Sequence, residues 1–124
     1  MESLNAFFEI EQQDDLIIVT PKADMGELDY ERINSGMKQV LELLAGSSVK
    51  NLIIDFHKTS YYGSTALGFF VRLWKTVSSR DGRMAFCNLS EHEKEILTVT
   101  KLDNLWPICA SRAEALNAVK KRDA

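Results

Sequence analysis

The run Leu52-Ile53-Ile54, closed by Asp55 and Phe56, constrains this chain more than any other segment. Three consecutive apolar residues between polar neighbours suit a strand that is covered on both faces. After the short stretch His57 to Gly63, apolar residues return at Leu67, Phe69, Phe70, Val71, Leu73, Trp74 and Val77, the spacing of an amphipathic helix from about Ser64 to Ser79. A buried strand feeding a helix is the repeating step of a parallel α/β sheet. The step also delivers a hydroxyl pair, Ser64-Thr65, to a helix start. Unpaired N–H groups and partial positive charge gather there, so a serine can cap the helix or carry a phosphate where an anion is favoured.

The rest of the chain supplies the remaining elements. Phe7 to Gln13 and Leu16 to Thr20 read as a hairpin about the polar turn Gln12-Gln13-Asp14-Asp15, with Pro21 ending the second strand. Lys22 to Glu27 is a loop. Tyr30, Ile33, Met37, Val40, Leu41 and Leu44 place a helix over about Asp29 to Ala45, closed by Gly46-Ser47-Ser48. Val49 to Phe56 and Met84 to Leu89 are strands, the second preceded by an Asp81-Gly82 turn. Ser90-Glu91-His92-Glu93 is a capping box that opens a helix to about Val99. Leu105 to Cys109 is a brief extended piece. Ser111-Arg112-Ala113-Glu114 is a second capping box, opening a last helix with Ala115, Leu116 and Val119 inward. The order β-β-α-β-α-β-α-β-α predicts one α/β domain over residues 1–124, with about five strands in a mixed, mostly parallel sheet and four helices. The wide apolar arc of the second helix is expected to touch both the sheet and a neighbouring helix. The alternative is that Phe69 and Leu73 meet a partner.

Charge and cysteine usage exclude several functions. The 15 basic and 18 acidic residues leave a net charge of −3, and the one basic cluster is the tail Lys120-Lys121-Arg122. Direct nucleic-acid binding needs a phosphate-neutralising patch, so it is not expected. No apolar run is long enough to span a bilayer, and the N-terminus has no signal-peptide layout. Cys87 and Cys109 have no metal-binding spacing and read as small buried or strand residues. A cytoplasmic protein without cofactor or metal is expected.

Each candidate chemical group has a plainer counterpart. Ser64 would be a cap worth about 1 kcal/mol, or a phosphate acceptor, with Thr65 as the alternative acceptor. A hydrolase would pair Ser64 with His57 or His92 as base and Asp55 or Asp24 as orienter. However, Tyr62-Gly63-Ser64-Thr65-Ala66 lacks the glycines of a nucleophile elbow, and catalysis is not expected. Asp24, Glu27 and Asp29 could ligate a metal, but they read more simply as loop and first-turn acids. Trp74 and Trp106 read as core aromatics. Of the adjacent Tyr61 and Tyr62, one should be buried.

Leu52 to Phe56, Tyr61 to Gly68, Asn88-Leu89-Ser90, and Leu97 through Leu102-Asp103-Asn104-Leu105 together resemble the STAS domain of bacterial anti-sigma factor antagonists, in order and over nearly the whole chain. The resemblance implies a curved mixed sheet with four helices on one side. It implies partner switching: the unphosphorylated protein binds an anti-sigma factor that is also a serine kinase, the kinase phosphorylates a serine, and a phosphatase restores it. That serine matches Ser64, and the family's loop aspartate matches Asp24. Asp24, Gly63, Ser64, Thr65, Ala66 and Leu67 are the implied partner-binding residues, in a monomer or weak homodimer. Gly63 stands where the family usually has Asp, Ala66 where it has Gly, Lys101 where a helix often ends in Gly, and Pro21-Lys22-Ala23 where it has Gly-Glu-Leu. Gly63 removes an acid beside the acceptor. It therefore keeps open a STAS module that takes no phosphate and serves as a scaffold or as the regulatory subunit of a transporter.

Overall fold

The computed structural model describes residues 7–26, 29–46 and 48–120. Five strands lie in sequence order across one sheet: β1 (Phe8–Gln13), β2 (Leu16–Pro21), β3 (Asn51–Asp55), β4 (Met84–Cys87) and β5 (Ile108–Cys109). β1 and β2 are antiparallel, with Gln13 opposite Leu16 across the tight turn Asp14-Asp15, and every later pairing is parallel. The helices are α1 (Tyr30–Gly46), α2 (Ser64–Ser78), α3 (Glu91–Val99) and α4 (Arg112–Lys120). The expected α/β order and mixed, mostly parallel sheet are therefore present.

The alternation of side chains along the strands explains the two cores. Ile17, Val19, Leu52, Ile54 and Phe86 point to one face and pack with buried residues of α1, α2 and α3. Leu16, Ile18, Ile53, Ala85 and Cys87 point to the other and pack with Ala115 and Val119 of α4. The arrangement of four helices on one side is thus corrected: α4 crosses to the opposite face. The unbroken run Leu52-Ile53-Ile54 requires this, because Ile53 needs its own apolar cover. Phe69 is buried against the sheet-facing layer and lies 6.2 Å, centroid to centroid, from Tyr30 of α1. Phe69 and Leu73 are therefore not a partner-facing edge. Trp106 is buried beside Phe86, whereas Trp74 is only half-buried.

Several element ends shift for local reasons. β4 stops at Cys87 because Asn88 adopts φ 61°, outside the extended region. β3 is shorter than Val49–Phe56, and the last extended piece shrinks to Ile108–Cys109, with a short 3-10 helix at Leu102–Asn104 before it. Lys101 ends the α3 turn in the left-handed region, φ 64° and ψ 16°. The proposed closure at Ser47, the loop residue Glu27 and the basic tail at Lys121-Arg122 lie outside the described residues. Among the described residues, no helix is long and apolar enough to cross a membrane.

Candidate functional site

Strand β3 ends at Asp55, the chain turns through residues 56–63, and α2 begins at Ser64. Gly63 is the residue that caps α2, in extended conformation (φ −101°, ψ −174°), and its carbonyl accepts the Leu67 N–H at 3.3 Å. Ser64 is therefore the first helical residue and not the cap, which corrects the capping reading. Its side chain is exposed, Thr65 is half-buried, Ala66 is buried, and Leu67 is half-buried against the core. Of the hydroxyl pair, Ser64 is the more accessible, in the turn where helix N–H groups lack carbonyl partners.

Asp24 and its neighbour Met25 hold this turn from the β2 side. The Asp24 carboxylate accepts from Ser60 N (2.8 Å), Tyr61 N (3.3 Å) and Ser60 Oγ (3.4 Å). Met25 bridges to Tyr62: its N–H donates to Tyr61 O at 3.3 Å and its carbonyl accepts from Gly63 N at 2.9 Å. Asp24 thus grips the short loop that leads into Ser64. Asp24 is spent on backbone N–H groups and Asp29 pairs with Arg32 at 3.7 Å. Glu27 is outside the described residues, and among those described no His, Cys, Asp or Glu group is placed to hold a metal ion.

The opposite side of the turn is held by the start of α3, a contact that sequence reasoning missed. Ser90 and Glu93 form the expected capping box. Beyond that, Ser90 Oγ donates to Ser60 O at 2.8 Å, and Thr59 Oγ1 donates to Glu93 Oε2 at 2.6 Å. The Tyr62 hydroxyl donates to Glu93 O at 2.8 Å. The capping box was legible as a local motif, but partners some thirty residues away left no local mark. Tyr62 is fully buried and Tyr61 is 40% exposed, stacked on His92 at 5.5 Å. Burial, and then the Glu93 charge, push the Tyr62 phenol upward, so it is a fixed hydrogen-bond donor.

A second polar cluster sits at the end of β3 on the α4 face. Asp55, 2% exposed, accepts from His57 N (3.0 Å), His57 Nδ1 (2.9 Å), Asn88 Nδ2 (3.0 Å) and Arg112 Nε (3.0 Å). Burial alone would raise the Asp55 pKa, but the bonds from Asn88, His57 and Arg112 outweigh it and hold the carboxyl below its ordinary value. The other two guanidinium nitrogens of Arg112 fork onto Glu11 at 3.2 and 3.1 Å. Asp55 and His57 do meet, as a hydrolase would need, but Asp55 is committed to Arg112 and Asn88, and His92 is stacked on Tyr61. Cys87 is buried nearby and its thiol is pushed up to about 12, chiefly by burial, which suits an inert core residue.

Comparison with known proteins agrees with this architecture. A model of the STAS domain matches residues 7–115. A Thermotoga neapolitana protein provisionally named an anti-sigma factor antagonist is 27% identical over 109 residues, 88% of this chain and 94% of its own. The anti-sigma F factor antagonist of Paenibacillus polymyxa is 21% identical over 117 residues, 94% of this chain and 97% of its own. Among solved structures, an anti-sigma-factor antagonist (STAS) domain protein from Planctomyces limnophilus superposes with a TM-score of 0.81 at 25% identity, covering 92% of this chain and 98% of that one. The antagonist SpoIIAA in its unphosphorylated form gives 0.79 at 16% identity (94% and 99% covered), and the Bacillus SpoIIAA in its phosphorylated form gives 0.65 at 16% (89% and 96% covered). The family match runs from before β1 into α4, over most of the chain, so this chain belongs to the STAS domain family.

Proposed function

We propose that this chain is an anti-sigma factor antagonist that works by partner switching, with Ser64 as the residue that is phosphorylated and dephosphorylated. The observation that carries the reading is the exposed Ser64 at the first position of α2, directly after a loop braced from two sides. A phosphate there adds about −1.5 to −2 charges at pH 7. The helix N-terminus tolerates that charge, so the fold stays intact while the docking surface gains negative charge and bulk. The partner is an anti-sigma factor with serine kinase activity, opposed by a phosphatase. Asp24, Thr65 and Leu67 border Ser64 in the docking surface; Gly63 and Ala66, expected there from the sequence, are buried and support it from beneath. The reading requires no catalysis by this chain and places its action in the cytoplasm. The anti-sigma factor antagonists among its relatives, and a fold neighbour known in phosphorylated form, support it.

The test is incubation with the partner kinase and ATP, followed by mapping of the modified residue. Phosphate on Ser64 is expected; no phosphate there, with binding retained, removes the switch and leaves an interaction module. Gly63 favours that second reading, since the position beside Ser64 carries no acid and its N–H is tied to Met25. A pull-down separates the two readings. A histidine-kinase-like ATPase supports the switch, and a transport ATPase or a large self-assembly supports the module.

A further inference from the structure

Glu93 is a fully buried carboxylate on a nine-residue helix, on the face where Leu97 enters the core. Capping alone explains one of its oxygens, Oε1, which accepts the Ser90 N–H at 2.9 Å. A capping glutamate ordinarily stays in water, because burying a carboxylate is costly unless hydrogen bonds replace its hydration. Here the second oxygen takes the Thr59 hydroxyl at 2.6 Å and the backbone carbonyl takes the Tyr62 hydroxyl at 2.8 Å. Thr59 and Tyr62 bracket the loop that Asp24 grips in the middle, at Ser60 and Tyr61. Gly63 and Ser64 follow directly.

We infer that Glu93 and Thr59 are positioning residues for the switch: their bond sets the path of residues 60–63 and so the presentation of Ser64 to the kinase. The inference deepens the partner-switching reading and rests on it for its kinetic consequence. Neither residue touches the phosphate. Each acts through the loop. A loop fixed at every one of these contacts presents one geometry, whereas a loop without the Thr59–Glu93 bond keeps its contacts to Asp24, Met25, Ser90 and the Glu93 carbonyl but samples several paths. An enzyme that acts on a preorganised hydroxyl loses rate in proportion to the fraction of misplaced conformers.

The experiment uses the full chain with Thr59→Val, which keeps the shape and removes the hydroxyl, and Thr59→Ser, which returns it. Amide exchange is followed by NMR, and Ser64 phosphorylation by the partner kinase is followed at saturating ATP. Thr59→Val is expected to speed exchange at Gly63 and Met25, whose N–H groups close the Met25 bridge, by about tenfold or more. Amides inside α1 and the interior of α2 should keep their rates. The kcat/KM for Ser64 should fall by about tenfold and recover in Thr59→Ser. Uniform acceleration of all amides, or none at Gly63 and Met25, overturns the positioning role, because a merely structural contact loosens the whole domain together. A wild-type chain that takes no phosphate at Ser64 refutes the partner-switching reading instead, and the exchange pattern still decides whether Thr59 and Glu93 hold the loop. Local exchange with an unchanged kcat/KM overturns the functional half of the inference.

Discussion

Replacing Asp55 by Ala tests the polar clasp that joins β3 to α4. The carboxylate is 2% exposed and accepts four hydrogen bonds, from Asn88, Arg112 and two groups of His57. At about 1.5–3 kcal/mol for each bond to a charged group, a simple sum over the four is about 6–12 kcal/mol. That sum is too large, since the donors are not all stranded by the change. Arg112 keeps its fork on Glu11, its side chain is 33% exposed, and the His57 ring is 46% exposed, so water replaces part of what is lost. Asn88, left-handed at φ 61°, loses its oxygen acceptor and is left with the weak Cys87 sulfur at 3.7 Å. The expected loss is therefore about 2–4 kcal/mol, at the lower end of the roughly 3–5 kcal/mol seen when one member of a fully buried pair is removed. Urea unfolding followed by circular dichroism reads it as a lower midpoint with unchanged slope. Arg112→Ala should cost less, about 1–2 kcal/mol, because that side chain is partly in water. The double variant should show coupling of at least about 1 kcal/mol. A loss below about 1 kcal/mol for Asp55→Ala, or strict additivity with Arg112→Ala, refutes the clasp.

The same carboxylate predicts an acid limb. Its folded pKa is depressed, so its contribution is present above the unfolded value near 4 and fades as pH falls through the lower folded value. Asp55→Asn should flatten stability against pH below about pH 4, and an unchanged slope in urea midpoints between pH 2 and 5 contradicts this. Gly82→Ala would place a Cβ 1.8 Å from the Lys50 carbonyl oxygen, a backbone atom that cannot swing away. At least about 2 kcal/mol of destabilisation is expected by thermal or urea melting, and a neutral variant contradicts it. Lys101→Gly relieves a left-handed lysine, so a gain of about 0.5–1 kcal/mol in midpoint stability is expected, and a loss contradicts it.

Legibility in the sequence followed the range of the interaction. Apolar spacing located α1 and α2, and capping boxes located the starts of α3 and α4, because both signals lie within a few residues of chain. The Ser90–Glu93 box was readable for the same reason. The Ser111–Glu114 box was half right: Glu114 N–H reaches Ser111 Oγ at 3.2 Å, but the Glu114 carboxylate turns to Ala110 N at 3.1 Å. The left-handed Lys101 was legible from the family likeness, since a glycine position is a statement about φ. Other features depended on distant parts of the chain. The side of the sheet that α4 takes was implicit in Ile53, whose neighbours Leu52 and Ile54 face the other way, yet the likeness pointed elsewhere. Whether Ser64 or Gly63 caps α2 depends on one residue of backbone, which Met25 settles by binding the Gly63 N–H. The Glu93–Thr59 and Arg112–Asp55 contacts join segments 34 and 57 residues apart, and no periodicity encodes them.

Ser64 is tested most directly by the affinity of the partner kinase for three forms of the chain: unmodified, Ser64→Ala, and phosphorylated at Ser64. The first two should bind alike, and the phosphorylated form should bind at least tenfold more weakly with its fold intact by circular dichroism. Equal dissociation constants for all three would contradict the switch.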